Sequence, residues 1–212
     1  QQGRVVWQDG RTGPADIFLA DLASHEIRNL TNSDRWEANP DIDGDFVIWR
    51  DGYDGLGVHG MRISTGEVFT VTTGHSVVNS PRISQGYVVW AAMQPGDKEW
   101  KIYGFDIATQ QKTLISDARD IDPTVNVDGH WVVWANASGK LFLFDRTTGQ
   151  TSSVGNLSSA SNPDVSEADH LIVWQDRRNG PYDIYAWDLE LNQERPLVQA
   201  QAHQESPRIA NG

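Results

Sequence analysis

Tryptophan recurs along this chain at a nearly fixed interval, and each copy closes a short apolar run. Successive copies are 42, 41, 44 and 40 residues apart. The recurring tryptophans are Trp7, Trp49, Trp90, Trp134 and Trp174. Each follows two β-branched residues, which favour extended strands. A signal repeated at this period predicts an array of one supersecondary unit.

Proline marks a second element of the same unit. The second residue after each of these prolines is Ile or Val, with polar or small residues on either side. The prolines are Pro40, Pro81, Pro123, Pro163 and Pro207. Such alternation is typical of a short strand with one buried face. We call it the first strand, because a turn leads from it into the strand that ends in tryptophan.

Two further strands follow each recurring tryptophan. The third-strand segments are residues 16–21, 58–63, 101–106, 141–145 and 183–188, of which 58–63 is degenerate. Fourth-strand segments after a tight turn are residues 26–30, 67–71 and 112–115. Four antiparallel strands in about 41 residues, repeated five times without a helical period, predict an all-β, five-bladed β-propeller.

One of the five units is divided between the two ends of the chain. The sequence opens in a second strand at residues 3–7 and finishes in a first strand at residues 206–212. We expect that first strand to pair with the N-terminal blade and close the ring, which removes exposed sheet edges. The expected single domain spans residues 1–212, with blades at 207–212 plus 1–39, 40–80, 81–122, 123–162 and 163–206.

Composition argues against several classes of function. The chain has 17 Lys and Arg against 29 Asp and Glu, a net charge of −12. Nucleic acid and anionic membrane surfaces would be repelled, so neither is expected as a partner. No apolar window approaches the roughly 18 residues of a transmembrane helix, so no membrane insertion is expected. Cys is absent, which excludes disulfides and cysteine chemistry.

Two segments resemble the repeat of the TolB-like β-propeller family. They are residues 174–189 (WQDRRNGPYDIYAWDL) and residues 7–18 (WQDGRTGPADIF). The family pattern has an Asp-Arg-Gly loop, then Asp-Ile-Tyr, then an Asp that closes the third strand. The middle blades depart from it, for example at Arg62, which replaces the closing Asp. The resemblance implies a binding or scaffolding module that is periplasmic, cell-surface or secreted.

Only two tryptophans outside the recurring set fall out of register with the other aromatics. The recurring copies end the second strands, where we expect them to be buried between neighbouring blades. Trp36 lies between a fourth strand and the next first strand, and Trp100 lies in the longest second-to-third-strand loop. Propeller connectivity would place both loops on one rim. Exposed aromatics there are candidates for partner binding, with a packing role as the alternative.

First strands line the channel of a propeller, so the residue after each proline is expected to face the axis. These residues are Asp41, Arg82, Thr124, Asp164 and Arg208. The alternating charges favour a self-satisfied ionic plug. A polar mouth that orients a small ligand or a partner side chain is the alternative. The charged members are therefore candidate binding residues, together with the two rim tryptophans.

No metal, cofactor or catalytic site is predicted. Residues 41–45 begin like a calcium loop, but position 12 of that loop is Gly52 instead of Glu. The six His residues lack metal-ligand spacing, and no Ser- or Cys-centred triad can be named. Asp9, Asp51 and Asp176 recur in the second-to-third-strand loops, where we expect them to hydrogen-bond the loop.

The leading hypothesis is a monomeric, non-catalytic module that presents one rim and the channel mouth to a protein or small-molecule partner. The first alternative is a lectin-like propeller of the tachylectin type. Repeated sugar sites would need sameness at the third residue before each proline, which is instead Glu37, Val78, Asp120, Ala160 and Gln204. The second alternative is a glycan-active hydrolase or lyase with Asp41 and Asp164 at the channel mouth.

Overall fold

The structure is a computed structural model that describes residues 3–11, 13–52, 57–79 and 81–209. Within these ranges the regular structure consists of strands in five antiparallel sheets, and no residue is helical. The predicted all-β class is confirmed. Accordingly, the described part of the chain has no helix that could cross a membrane. The chain divides into two compact units, Gln1–Lys98 with Tyr103–Thr113, and Glu99–Ile102 with Leu114–Gly212.

The first unit holds the first and second sheets and most of the third. The first sheet has the order β1-β2-β3, with strands Arg4–Asp9, Asp16–Asp21 and Ile27–Asn29. The second has the order β4-β5-β6-β7, with strands Glu37–Asp43, Phe46–Asp51, Gly57–Arg62 and Glu67–Thr72. The third has the order β12-β11-β10-β8, and β9 also pairs with β10. Strands β8 to β12 are Val77–Val78, Arg82–Ser84, Tyr87–Met93, Lys101–Asp106 and Gln111–Ser116.

The second unit holds two four-stranded sheets. The fourth sheet has the order β13-β14-β15-β16, with strands Ile121–Asp128, Trp131–Asn136, Leu141–Asp145 and Gln150–Val154. The fifth has the order β17-β18-β19-β20, with strands Ala160–Ser166, Leu171–Asp176, Asp183–Asp188 and Gln193–Val198. Strand order follows chain order in both sheets, which is the meander expected of propeller blades.

The recurring tryptophans are mainly core residues. Trp90, Trp134 and Trp174 are at most 2% exposed and Trp49 is 4% exposed, while Trp7 is half-buried. Each core cluster joins residues of two successive sheets; one combines Ile17 and Leu19 of β2 with Trp49 of β5. A buried Trp removes about 150–250 Å² of surface from water. These residues therefore stabilise the packing of sheet on sheet, as the repeat predicts.

The first strands begin earlier than the proline register predicts. Strand β4 starts at Glu37, three residues before Pro40. The pairing register shifts between Ala38 and Asp41, which marks a β-bulge, and Asn39 has a φ of +53°. A similar shift occurs in β17, and in the third sheet the first strand is split into β8 and β9. Glu37 therefore lies in the sheet, although it precedes the proline that was predicted to open the first strand.

The predicted ring closure concerns the first sheet, which has three strands where the other sheets have four or more. Residues 207–209 lie in no strand, and residues 210–212, which complete the predicted closing strand, lie outside the described residues. Ring closure, the count of five blades and the single domain with its blade boundaries stay predictions.

Candidate functional site

The two out-of-register tryptophans differ in exposure. Trp36 is 37% exposed and directly precedes β4, and its carbonyl oxygen accepts a hydrogen bond from Gly52 N–H at 2.9 Å. Trp100 directly precedes β11 and is half-buried. Trp36 belongs to the first unit and Trp100 to the second. A shared rim for the pair stays a prediction.

The predicted channel carboxylates Asp41 and Asp164 have the same backbone role. Asp41 Oδ2 accepts a hydrogen bond from Ile83 N–H at 3.0 Å, and Asp164 Oδ2 accepts one from Ile209 N–H at 3.1 Å. Each carboxylate therefore ties its own strand to the segment after the next proline. Burial raises the pKa of Asp41, while the bond from Ile83 and the charge of Arg82 oppose that shift.

The predicted channel cations Arg82 and Arg208 also share a contact. Each donates from Nη1 to the carbonyl oxygen of the proline that precedes it, at 3.1 Å in both cases. Arg82 is half-buried and Arg208 is exposed. The placement of the four side chains around a channel stays a prediction.

The repeat is broken most clearly in the second sheet, at the residue opposite the recurring tryptophan. In the other sheets an aromatic ring of the third strand stacks on that tryptophan with centroids 5.6–6.1 Å apart. These rings belong to Phe18, Tyr103, Phe142 and Tyr185. In the second sheet the residue opposite Trp49 is His59. An imidazole thus replaces the phenyl or phenol ring of the other sheets.

A second break lies on the first strand of the same sheet. Glu37 pairs directly with Asp51 across β4 and β5. The residues that correspond to Glu37 in the next three sheets are apolar, namely Val78, Ile121 and Ala160. Two carboxylates that face each other across strands destabilise a sheet unless other groups compensate them. This pair therefore marks a position where the sequence accepts a cost in stability.

Both breaks lie in the wall of one cavity of about 190 Å³ at this end of the second sheet. Its apolar wall consists of Leu30, Trp49 and Val68. Its polar wall consists of Thr31, Arg35, Glu37, Asp51 and His59. We refer to this site as the acidic cavity. All its residues lie in the first unit.

Glu37 forms the most buried polar part of the acidic cavity, at 4% exposure. The Ser33 hydroxyl donates a hydrogen bond to its Oε1, and Thr31 Oγ1 lies 3.3 Å from its Oε2. Burial raises the pKa of Glu37. The two hydroxyl groups oppose the shift, whereas the charges of Asp16 and Asp51 add to it.

Asp51 is 8% exposed and only one of its oxygens is paired. Its Oδ2 lies 2.8 Å from Arg35 Nη1 and 3.2 Å from His59 Nε2. Its Oδ1 is buried and has no hydrogen-bond partner in the described part of the chain. Burial lowers the pKa of His59, with the Asp51 charge opposing, so the imidazole is neutral near pH 7. The carboxylate places the proton on Nε2, and Thr70 Oγ1 lies 3.3 Å from Nδ1.

The charges around the acidic cavity are therefore unbalanced. Asp16, Glu37 and Asp51 contribute carboxyl groups, whereas Arg35 is the cation of the wall and His59 is neutral. The Arg35 side chain is 71% exposed. Chemically, the site can accept hydrogen bonds from a cationic donor while Trp49 and its apolar neighbours contact the donor's carbon atoms.

Asp9 in the first sheet and Asp176 in the fifth occupy the same repeat position as Asp51, and both carboxylates bind an arginine. Asp176 is fully buried and Arg178 Nη2 donates to its Oδ2 at 2.6 Å, while Arg178 N–H donates to its Oδ1 at 2.9 Å. Burial alone would raise the pKa of Asp176, but the Arg178 bonds lower it. Arg11 makes the equivalent contacts with Asp9. The predicted loop bonding is confirmed at both positions, whereas Asp51 is bound from a different segment.

A separate polar cluster lies between the second and third sheets. His75 is 1% exposed, and its Nε2 lies 2.8 Å from Thr72 Oγ1. Lys112 Nζ lies 3.0 Å from the same oxygen and 4.6 Å from the centre of the Tyr103 ring. Burial, with the Lys112 charge, lowers the pKa of His75 to about 4. The ring is therefore neutral, and its buried Nδ1 has no partner within the described ranges.

The described residues contain no group of three or more His, Asp or Glu side chains that could hold a metal ion. The acidic cavity itself was missed by the sequence analysis, which assigned Asp51 to a loop and segment 58–63 to a degenerate strand. The available signal was the repeat alignment. Histidine at 59 is the exception in its column, whereas glutamate at 37 becomes an exception only once strand pairing places Ile121, and not Asp120, at the corresponding position.

No protein-family model matches this chain, and no curated protein matches it in sequence. Solved structures do match. TolB from Acinetobacter baumannii is 16% identical with a TM-score of 0.67, over 96% of this chain and 54% of that one. Oligogalacturonate lyase from Vibrio parahaemolyticus is 11% identical with a TM-score of 0.73, over 95% and 64%. A nidogen/laminin complex contains a chain 14% identical with a TM-score of 0.61, over 93% and 76%.

These likenesses confirm the TolB-like β-propeller fold that the repeat indicates. The chain spans about half the length of TolB and less than two thirds of the lyase, at 54% and 64%. At 11–16% identity the likeness establishes the fold. The matched proteins differ widely in role, so function must be argued from the site.

Proposed function

We propose that this protein is a non-catalytic binding module that receives a side chain of a partner protein in the acidic cavity. The observation that carries the proposal is the buried, directly paired Glu37 and Asp51 at the cavity wall. Facing carboxylates lower sheet stability by up to about 1 kcal/mol. A locally unfavourable arrangement that persists at a cavity is typical of a functional site.

The size of the cavity favours a partner's side chain over a free ligand. Small-molecule sites usually enclose about 300–1,000 Å³. The acidic cavity encloses about 190 Å³ and suits a single side chain. The rest of such an interface would lie on the surface around the cavity.

Trp36 supports this proposal because it lies in the sequence between two residues of the cavity wall, Arg35 and Glu37, and is 37% exposed. Exposed Trp is enriched among the residues that contribute most to protein interfaces. Trp100, Asp41, Arg82, Asp164 and Arg208 remain candidate contacts of the same module. We assign them a secondary role because the four charged residues bond backbone groups of this chain, and Trp100 is half-buried.

The kinds of protein that share the fold bear on partner and location. The nidogen/laminin structure is a protein complex, and TolB gives the repeat family its name. We propose a monomeric protein that works outside the cytoplasm, in the periplasm, at the cell surface or after secretion. The lyase favours a second candidate, a glycan-active enzyme or a lectin-like module, since its substrate class is an oligosaccharide.

A random peptide library and a glycan array, probed in parallel, distinguish these functions. We expect selected peptides to bind, and binding to fall in the Trp36→Ala, Trp100→Ala double variant. Leu191→Ala is the control, because Leu191 is 66% exposed and lies in the turn between β19 and β20, which is not part of the acidic cavity. Glycan hits without peptide hits would contradict the proposal. Turnover of oligosaccharides that is lost in Asp41→Asn or Asp164→Asn would favour the enzyme.

A further inference from the structure

We infer that the acidic cavity recognises a guanidinium group, so that the partner's inserted side chain is an arginine. This inference rests on the proposed function and names the chemistry of its ligand. It depends on a comparison of the same carboxylate position in several sheets of this chain, on an unpaired oxygen of Asp51, and on the way Arg35 occupies the site.

The chain itself shows which group this carboxylate position binds. In the first sheet Asp9 binds the guanidinium of Arg11, with Nε 2.9 Å from Oδ1 and Nη2 2.5 Å from Oδ2. In the fifth sheet Asp176 binds the guanidinium of Arg178. Each arginine lies two residues after its aspartate. In both of these sheets, the local loop thus supplies the guanidinium through an Asp-x-Arg sequence.

The second sheet keeps the carboxylate but lacks the local arginine. The residue two positions after Asp51 is Tyr53, which lies outside the described residues. Arg35 reaches Asp51 from before β4, with Nη1 2.8 Å from Oδ2, and its side chain is 71% exposed. It engages a single oxygen, because the buried Oδ1 has no partner within the described ranges. A guanidinium is a planar fork of donors that fits both oxygens of one carboxylate.

The fifth sheet shows a fuller version of the same arrangement. Arg178 bridges two carboxylates, donating from Nη2 to Asp176 at 2.6 Å and from Nη1 to Glu194 at 2.5 Å. Its guanidinium carbon lies 4.3 Å from the centre of the Tyr185 ring. The acidic cavity also contains two carboxyl groups, Asp51 and Glu37, beside an aromatic wall, but here the second group comes from the first strand of the sheet instead of the fourth. An incoming arginine that binds Asp51 would therefore have Glu37 as its second acidic neighbour.

Arg35 acts in this arrangement as an internal competitor. It occupies Asp51 Oδ2 in the unliganded protein, and a partner's arginine would displace it to gain both oxygens. Arg35 holds Asp51 through one oxygen while most of its own side chain is exposed, so a guanidinium that binds both oxygens can displace it. Removal of Arg35 should therefore strengthen binding of an added guanidinium.

The test is a titration of the isotope-labelled protein with N-acetyl-arginine amide, followed by NMR chemical shifts. We expect saturable binding with Kd on the order of 1 mM, since a ligand of this size gains about 0.3 kcal/mol per heavy atom. The shifts should map to residues around the acidic cavity. N-acetyl-citrulline amide, a neutral analogue of the same shape, should not bind. Equal binding of citrulline, or tighter binding of N-acetyl-lysine amide, would overturn the inference.

Variants of Asp51, Asp9 and Arg35 test whether the arginine amide binds at the acidic cavity. Asp51→Asn should weaken arginine amide binding about tenfold, since a bond to a charged group is lost. Asp9→Asn, which changes the same repeat position in another sheet, should leave it unchanged. Arg35→Ala should strengthen binding several-fold. Undiminished binding by Asp51→Asn would overturn the inference, and if that variant does not fold, unchanged or weaker binding by Arg35→Ala would do so.

Failure of this inference can be told apart from failure of the proposed function. Peptides that bind the wild-type protein but whose binding does not depend on Asp51 would contradict recognition of a guanidinium group and still support the proposed binding module. A library that yields no binding peptides would contradict the proposed function as well.

Discussion

Glu37 and Asp51 face each other across β4 and β5, at 4% and 8% exposure. In the fifth sheet the residue opposite the corresponding aspartate is Ala160. The second sheet thus differs from its repeat partner by one added buried carboxyl group. Burial raises the pKa of that group, so folding shifts its titration to higher pH.

Replacing Glu37 with Gln should stabilise the protein at pH 8. The folded-state pKa of Glu37 lies above its usual 4.5, so its contribution to stability is full below pH 4.5 and is lost as pH rises through the folded pKa. Gln has no such loss, and relief of the facing charges adds about 0.5–1 kcal/mol. Urea denaturation at pH 4 and pH 8 measures the effect.

The matched control for this prediction is Glu67→Gln, because Glu67 is exposed on β7 of the same sheet and faces Arg62. We expect its free energy of unfolding to change by less than about 0.5 kcal/mol at either pH. Equal stability of wild type and Glu37→Gln at pH 8 would show that the facing carboxyl groups carry no cost.

His75 should make the protein sensitive to mild acid. Its folded-state pKa is about 4, below the usual 6.5, because burial and the Lys112 charge disfavour the cation. The unfolded chain therefore binds the proton first, and stability falls as pH drops from 6.5 towards 4. We expect a loss of about 2 kcal/mol between pH 7 and pH 4.5 that is missing in His75→Gln.

Denaturation curves of wild type and His75→Gln across that pH range provide the measurement. His170→Gln serves as the control, since His170 is exposed and its loss should leave the pH dependence as in wild type. Parallel pH profiles for wild type and His75→Gln would mean that His75 is protonated in the folded state without penalty.

Arg178→Ala should be strongly destabilising, because it leaves the fully buried Asp176 without its cation. Breaking a buried ion pair from one side costs about 3–5 kcal/mol. Arg11→Ala removes the equivalent arginine from an exposed position, where its side chain is 83% exposed, and should change stability far less. Thermal unfolding of the two variants side by side measures the difference, and similar melting temperatures would contradict it.

Trp174→Ala should reduce stability by about 3–5 kcal/mol, because it opens a cavity in a core cluster where Trp174 is fully buried. Trp36→Ala should have little effect on stability, since Trp36 is 37% exposed. The pair separates structural tryptophans from a binding tryptophan. A large loss of stability in Trp36→Ala would indicate that Trp36 has a packing role.

The repeat predicts the fold well because packing of sheet on sheet depends on the same few residues in every unit. The third strands at residues 16–21, 101–106, 141–145 and 183–188 are observed within the predicted bounds. First strands were predicted to start at the proline, but the β-bulge lets pairing continue upstream of it. A bulge depends on backbone geometry at Asn39, which the hydrophobic pattern does not encode.

The candidate site was less predictable for a physical reason. Asp51 occupies the same repeat position as Asp9 and Asp176, but the second residue after it is Tyr53 instead of Arg, and the groups that bind it are brought there by the fold. Arg35 reaches it from the segment before β4, and His59 from the third strand. Such contacts depend on strand register. The exception at 59 was visible in the alignment, but the sequence alone does not indicate that His59 and Glu37 meet in one cavity.

We propose that function resides where the repeat is broken, at the acidic cavity, and that the recurring tryptophans are structural. The most direct measurement takes peptides selected on the wild-type protein and compares their affinities for Asp51→Asn and Asp9→Asn. We expect arginine-containing peptides whose binding falls about tenfold in Asp51→Asn and is unchanged in Asp9→Asn. Peptides that bind all three proteins equally would contradict the claim.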